Sequence, residues 1–162
     1  MNWRPIDGFP KYSVNPDGHI QHNRSGRIVQ PQMNQSGVPY VELMRDDRRF
    51  SRGLARLVAK AFISQHLETF DTPINLDGDR WNCAVDNLMW RPRWFAIRYH
   101  QQFRYTPENR INRPLRASDS SEVHLTSLDA AIRYGLLEYD IGRSVLFGYE
   151  VWPTYQHFEL AR

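Results

Sequence analysis

Residues 74–90 read INLDGDRWNCAVDNLMW. This stretch predicts a strand, a turn and a helix. Asp77-Gly78 makes a tight turn. Asp79 and Asn82 carry short polar side chains of the kind that bond backbone groups within a loop. Trp81 and Trp90 read as packing aromatics, and Asn87 as a helix residue bracing the loop.

Working outward toward the C-terminus, residues 91–103 read as helical after Pro92, with Trp94, Ile97, Tyr99 and Phe103 offering an apolar or aromatic face and Arg91, Arg93 and Arg98 among them. Residues 104–121 hold Pro107, Pro114, four Arg and a Ser-rich end, which predicts an extended linker. In residues 122–162, Val123 to Leu125 suits a strand, Ser127 an N-cap and Gly135 a helix stop. Asp140 suits the cap of a second helix closed by Gly148, and residues 149–160 suit a strand pair broken at Pro153.

Toward the N-terminus the period changes. Leu54, Leu57, Val58, Ala61 and Phe62 are spaced as one helical face, so residues 53–65 predict a helix. Arg52, Arg56 and Lys60 lie four apart on an adjoining face. Residues 1–50 read as short strands: Gly8, Gly18, Gly26 and Gly37 mark turns, residues 38–44 suit a strand and Asp46-Asp47 a turn.

Composition bounds the function. No stretch approaches the roughly 20 apolar residues of a membrane span, and MNWRPIDGFP has no apolar core of a signal peptide. A lone cysteine, Cys83, forms neither an internal disulfide nor by itself a zinc site. Charge is distributed unevenly: residues 1–90 carry net +1, residues 91–116 net +6 and residues 117–162 net −4. Of 21 basic residues only Lys11 and Lys60 are lysine. Guanidinium forks onto phosphate and stacks on bases, so the basic belt suits nucleic acid; a GC-rich genome would raise arginine equally well.

Three stretches carry a resemblance. The first is Trp3, Ile6, Gly8-Phe9, Tyr12-Ser13-Val14-Asn15 and Gly18-His19-Ile20, continued by Arg56, Leu57, Val58, Ala59 and Phe62. The second is Asp77-Gly78-Asp79, Asn82 and Asn87-Leu88-Met89-Trp90, and the third SLDAAIRYGL with DIGRSVLFG. Together they resemble the HNH homing endonucleases encoded in phage introns: an N-terminal modular region, a nuclease core and a C-terminal helix–turn–helix. The resemblance implies an α+β fold: short antiparallel strands plus a helix, a ββα core over about residues 74–95, an extended basic linker, and a small C-terminal helix–turn–helix-like unit with β-structure. Residues 1–103, 104–121 and 122–162 are the units it implies.

The resemblance also marks a departure. Where the family has an acidic or His metal ligand and a His general base, this chain has Ile74 and Asn75; the family's helix Asn is matched to Asn87. An amide has no useful proton affinity at neutral pH and a hydrocarbon offers a metal no lone pair. No catalytic residue, metal or cofactor is therefore expected, with Asn87 the one residue retained from a metal site; Mg or Mn enters only if the chain is active. Three readings stay open. One is a DNA-binding protein contacting duplex phosphates through Arg52, Arg56, Lys60, Arg91, Arg93, Arg98, Arg104, Arg110, Arg113, Arg116 and Arg143. The second is a repurposed partner of a phage or host protein, or a virion component, using Tyr149, Trp152, Tyr155 and Phe158. The third is an active nicking enzyme with an unusual base. The resemblance places such a protein in the host cytoplasm during infection, or in the virion, and not in a membrane.

Overall fold

The computed structural model describes residues 2–162. It is an α+β protein of short antiparallel strands and four helices, and its contacts divide it between Ala96 and Ile97 into two units. No helix among the described residues is long and apolar enough to cross a membrane.

In the first unit, β1 (Arg4–Ile6), β2 (Phe9–Val14), β3 (Ile20–His22) and β4 (Ile28–Val29) form a four-stranded sheet in chain order. β5 (Gln32–Met33), β6 (Pro39–Arg45) and β7 (Arg48–Gly53) form a second sheet. Arg45 faces Arg48 across the β6–β7 ladder, leaving Asp46 and Asp47 as a two-residue loop with φ of 49° and 57°. Short acidic side chains tolerate that left-handed backbone, so the turn read from the sequence forms. Helix α1 (Leu54–Phe62) follows directly and buries Leu54, Leu57, Val58 and Ala59 against Val14, Ile20, Val41 and Leu43. Burying a side chain such as Leu57 stabilises by about 1.5–3 kcal/mol. The helix is shorter than expected because Ile63 is already extended, although its amide still donates to the Ala59 carbonyl.

Strands β8 (Thr72–Asn75) and β9 (Leu88–Arg91) pair antiparallel, Asn75 opposite Leu88, and α2 (Arg93–Gln101) follows Pro92. This is the expected ββα order. Within residues 74–90, however, the helix expected after the turn is replaced by one 3-10 turn (Val85–Asn87) ahead of β9. Trp90 packs as expected, 6% exposed, with Nε1 donating to the Ile63 carbonyl at 3.0 Å; Trp81 is 49% exposed and does not.

In the second unit, the stretch that reads as an extended linker contributes a short strand. β10 (Leu115–Ala117) lies inside it and pairs with β11 (Phe158–Leu160), and Leu115 also bridges His124. Leu115 and Ala117 alternate inward and are fully buried, which is why a stretch rich in Pro and Arg is drawn into the core. Helix α3 (Ser127–Tyr134) is capped by Thr126 and not by Ser127: Thr126 and Asp129 form a capping box. Ser127 is buried instead, accepting from the Ile111 amide and donating to Glu138. Gly135 ends α3 in the left-handed conformation as expected. Helix α4 (Glu138–Phe147) starts before Asp140 and closes at Gly148. The strand pair expected over residues 149–160 reduces to β11 and a lone bridge between Val151 and Gln156.

Candidate active-site loop and nucleic-acid interface

The loop joining β8 to β9 is held by its own side chains. The Asp77 carboxylate accepts the Asp79 amide at 2.9 Å, Asn87 Nδ2 at 2.9 Å and Asn82 Nδ2 at 2.7 Å. The Asp77 amide donates to Asn87 Oδ1 at 3.1 Å, and Asp79 accepts the Trp81 amide at 2.9 Å. The Asn82 carbonyl oxygen collects two amides: Asn75 Nδ2 at 3.0 Å and Asn87 Nδ2 at 2.8 Å. Asn75 and Asn87 thus converge on one backbone oxygen.

A neighbouring hairpin braces this loop. The Val85 amide donates to the Pro16 carbonyl at 2.8 Å, and Gly18 at φ 86° sits so close that a Cβ there would lie 3.2 Å from the Cys83 carbonyl oxygen. Only glycine meets both demands. Cys83 is buried; its thiol donates to the Arg80 carbonyl at 3.4 Å, and burial pushes its pKa up to about 11.

A divalent metal does not fit these residues. Ile74 is fully buried hydrocarbon, and Asn75, 1% exposed, spends its Nδ2 on Asn82. Asn87 lies in the 3-10 turn rather than on a helix, and its Oδ1 already accepts the Asp77 amide. Among the described residues no three His, Cys, Asp or Glu are grouped to hold a metal ion.

The arginines separate by circumstance. Arg52, on β7 rather than on the helix, joins Arg56 and Lys60 of α1 around a cleft of about 160 Å³ with Asp7 on its wall. Its guanidinium lies 5.2 Å from the Phe9 centroid and 5.3 Å from that of Phe50. Arg45 stacks on the same rings, at 5.2 and 4.7 Å. Sequence reasoning missed Arg45; its place opposite Arg48 at the hairpin end was the available signal. Arg91 is 7% exposed, faces Phe70 and Phe95 and donates to the Trp90 carbonyl, so it is packed rather than presented.

Arg93, Arg104 and Arg113 are exposed. Arg110 is occupied: its Nε and Nη2 donate to the two oxygens of fully buried Glu138 at 2.7 and 2.8 Å. Arg116 pairs with Glu159 at 2.9 Å. Arg143 stacks over Tyr149 at 4.4 Å, and Arg98 shares a cleft with it in the second unit. Ser144, one residue on from Arg143, is buried and accepts the Phe158 amide at 2.8 Å.

Residues 1–44 match the NUMOD4 motif. The H-N-H endonuclease F-TflII of Escherichia phage T5 is 24% identical over 91 residues, which is 54% of this chain and 46% of that protein, so the chain spans less than half the length of its phage relative. The solved structure described as DNA binding and cleavage by the HNH homing endonuclease I-HmuI superposes with a TM-score of 0.57 at 21% identity, covering 99% of this chain and 98% of that one. An N-terminal motif, a phage relative and a shared fold together relate this chain to the HNH homing endonucleases.

Proposed function

We propose that this protein binds duplex DNA through its arginines and does not hydrolyse it. One observation carries the second half: at the position of the family's general base, Asn75 donates its amide to the Asn82 carbonyl beside a fully buried Ile74. Phosphodiester hydrolysis needs a proton acceptor for water and a cation for the charge that develops. Losing the base alone costs about 10²- to 10⁴-fold in rate. The first half is supported by Arg45, Arg52, Arg56 and Lys60 gathered near one cleft and by exposed Arg93, Arg104 and Arg113. Their ligand would be met in the host cytoplasm during phage infection.

The test incubates supercoiled plasmid with Mg or Mn. The expected outcome is no nicking, with a mobility shift of duplex DNA at low salt. Robust nicking by the natural sequence would falsify the reading. Ile74→Asp with Asn75→His supplies the missing groups, yet it buries a carboxylate in an apolar position and is expected to lower stability. The double variant therefore counts only after its fold is checked by circular dichroism.

A second reading, docking to a phage or host protein or a place in a virion, is favoured by exposed Tyr139, Leu146, Phe147, Tyr149 and Tyr155 on the acidic stretch over residues 117–162. Phe158, expected in that surface, is 3% exposed and belongs to the core. A wild-type protein that fails to shift DNA at low salt supports this second reading.

A further inference from the structure

In the second unit a cleft of about 480 Å³ opens beside the C-terminal end of α2, the turn after it and the start of α4. That size is typical of a small-molecule site. Six side chains supply its chemistry: Arg98, Gln101, Tyr105, Tyr139, Asp140 and Arg143. Tyr105 is 74% exposed and Tyr139 54%, so both rings are presented rather than packed. The Asn109 side chain donates to the Tyr139 carbonyl at 2.8 Å, and Gly142 meets Asn109 too closely for any β-carbon. These contacts fix the 103–109 segment against α4, so the walls of the cleft are built in advance. Stacking on Tyr149 at 4.4 Å also fixes the Arg143 guanidinium.

Asp140 is the informative member. It is half-buried, Arg143 and Arg98 act on it electrostatically, and among the described residues it makes no ion pair within salt-bridge distance. Burial raises its pKa, against the two guanidiniums, as expected of a carboxylate short of hydrogen-bond donors. An ionised carboxylate only accepts.

A ligand matching this cleft has a flat ring for the tyrosines, an N–H donor for Asp140 and an anionic group for Arg143. A nucleotide with an exocyclic amino group has all three. A duplex hides its ring faces in the stack, so the base must be unpaired. Thymine flanks its lone N–H with carbonyls and suits a carboxylate poorly. We propose that this cleft binds an unpaired, amino-bearing nucleotide of single-stranded nucleic acid, stacked on Tyr105 and Tyr139 and read by Asp140. The proposal does not rest on duplex binding, and Tyr105, Tyr139 and Asp140 lie outside the duplex contacts.

Fluorescence anisotropy of labelled short oligo-dC and oligo-dT at low salt tests it. Oligo-dC is expected to bind at least about fivefold tighter, because a matched base-edge contact discriminates by that order. Tyr105→Ala should weaken oligo-dC roughly tenfold while Tyr105→Phe keeps it, since stacking needs the ring and not the hydroxyl. Asp140→Asn should erase the preference for dC. Displacement by free dCMP identifies the nucleotide as the ligand; displacement by unlabelled oligo-dC alone identifies the strand. Equal affinity for dC and dT, or unchanged binding by a folded Tyr105→Ala, overturns the proposal. A duplex mobility shift on the same proteins separates the two readings: its loss with the dC preference intact sinks only the duplex reading.

Discussion

Asn75, Asn82 and Asn87 show how three amides can occupy a place where chemistry is expected. Each donates into the loop, Asn75 and Asn87 to one carbonyl and Asn82 and Asn87 to the Asp77 carboxylate, so the geometry is kept by the loop's own hydrogen bonds. Cys83 beneath them has no nucleophilic role at neutral pH, because its thiol stays protonated with a pKa of about 11. The unfolded chain releases that proton near 9.0, ahead of the folded one. The unfolded state therefore binds fewer protons between about pH 9 and about pH 11, and stability falls as pH rises through that window. Below it the contribution is constant. Denaturation curves of wild type and Cys83→Ala should run parallel from pH 7 to 8.5 and converge by pH 11; a thiol reagent should label native protein only on unfolding. Fast labelling of native protein at pH 8 would contradict the burial argument.

Among the elements, α4 carries the clearest tension between local propensity and packing. Gly142 stands mid-helix, where alanine is ordinarily favoured by about 1 kcal/mol. A β-carbon there would press on the backbone oxygen of Asn109 and lie 2.8 Å from its side-chain carbon and nitrogen. Gly142→Ala should therefore destabilise by about 1–3 kcal/mol net, read as a drop in the thermal midpoint; an unchanged midpoint would mean that the 103–109 segment yields freely. A string of letters shows the glycine but not the segment across from it. The same limit explains which elements were readable. Turns at Asp46-Asp47 and Gly78 form where expected and the helix forms within its expected span, because each follows from near neighbours. β10 depends on β11, some forty residues away, and its residues alone read as linker. Asn87 reads as helical in the sequence because its partners Asp77 and Asn82 come beside it only once the loop closes.

For the whole molecule, the arginines of the basic belt divide into exposed and occupied ones. The belt over residues 91–116 is net +6, yet Arg91 is packed, Arg110 neutralises buried Glu138 and Arg116 pairs with Glu159. The plot of log affinity for duplex DNA against log salt loses about 0.9 of slope for each phosphate contact removed. Arg104→Gln and Arg113→Gln should each lower that slope, whereas Arg110→Gln should leave it unchanged and instead lower the melting temperature, having orphaned a buried carboxylate. Equal slopes for all three variants would remove the distinction. The Asn75–Asn82 bond also bears on inheritance. Asparagine becomes histidine by a single base change, but isoleucine reaches aspartate only through at least two. On the proposed reading, a lineage regaining the base first would break a loop bond and gain no cation, so the intermediate is worse folded and still inert. Selection then has no uphill path back, and the amide acts as a ratchet.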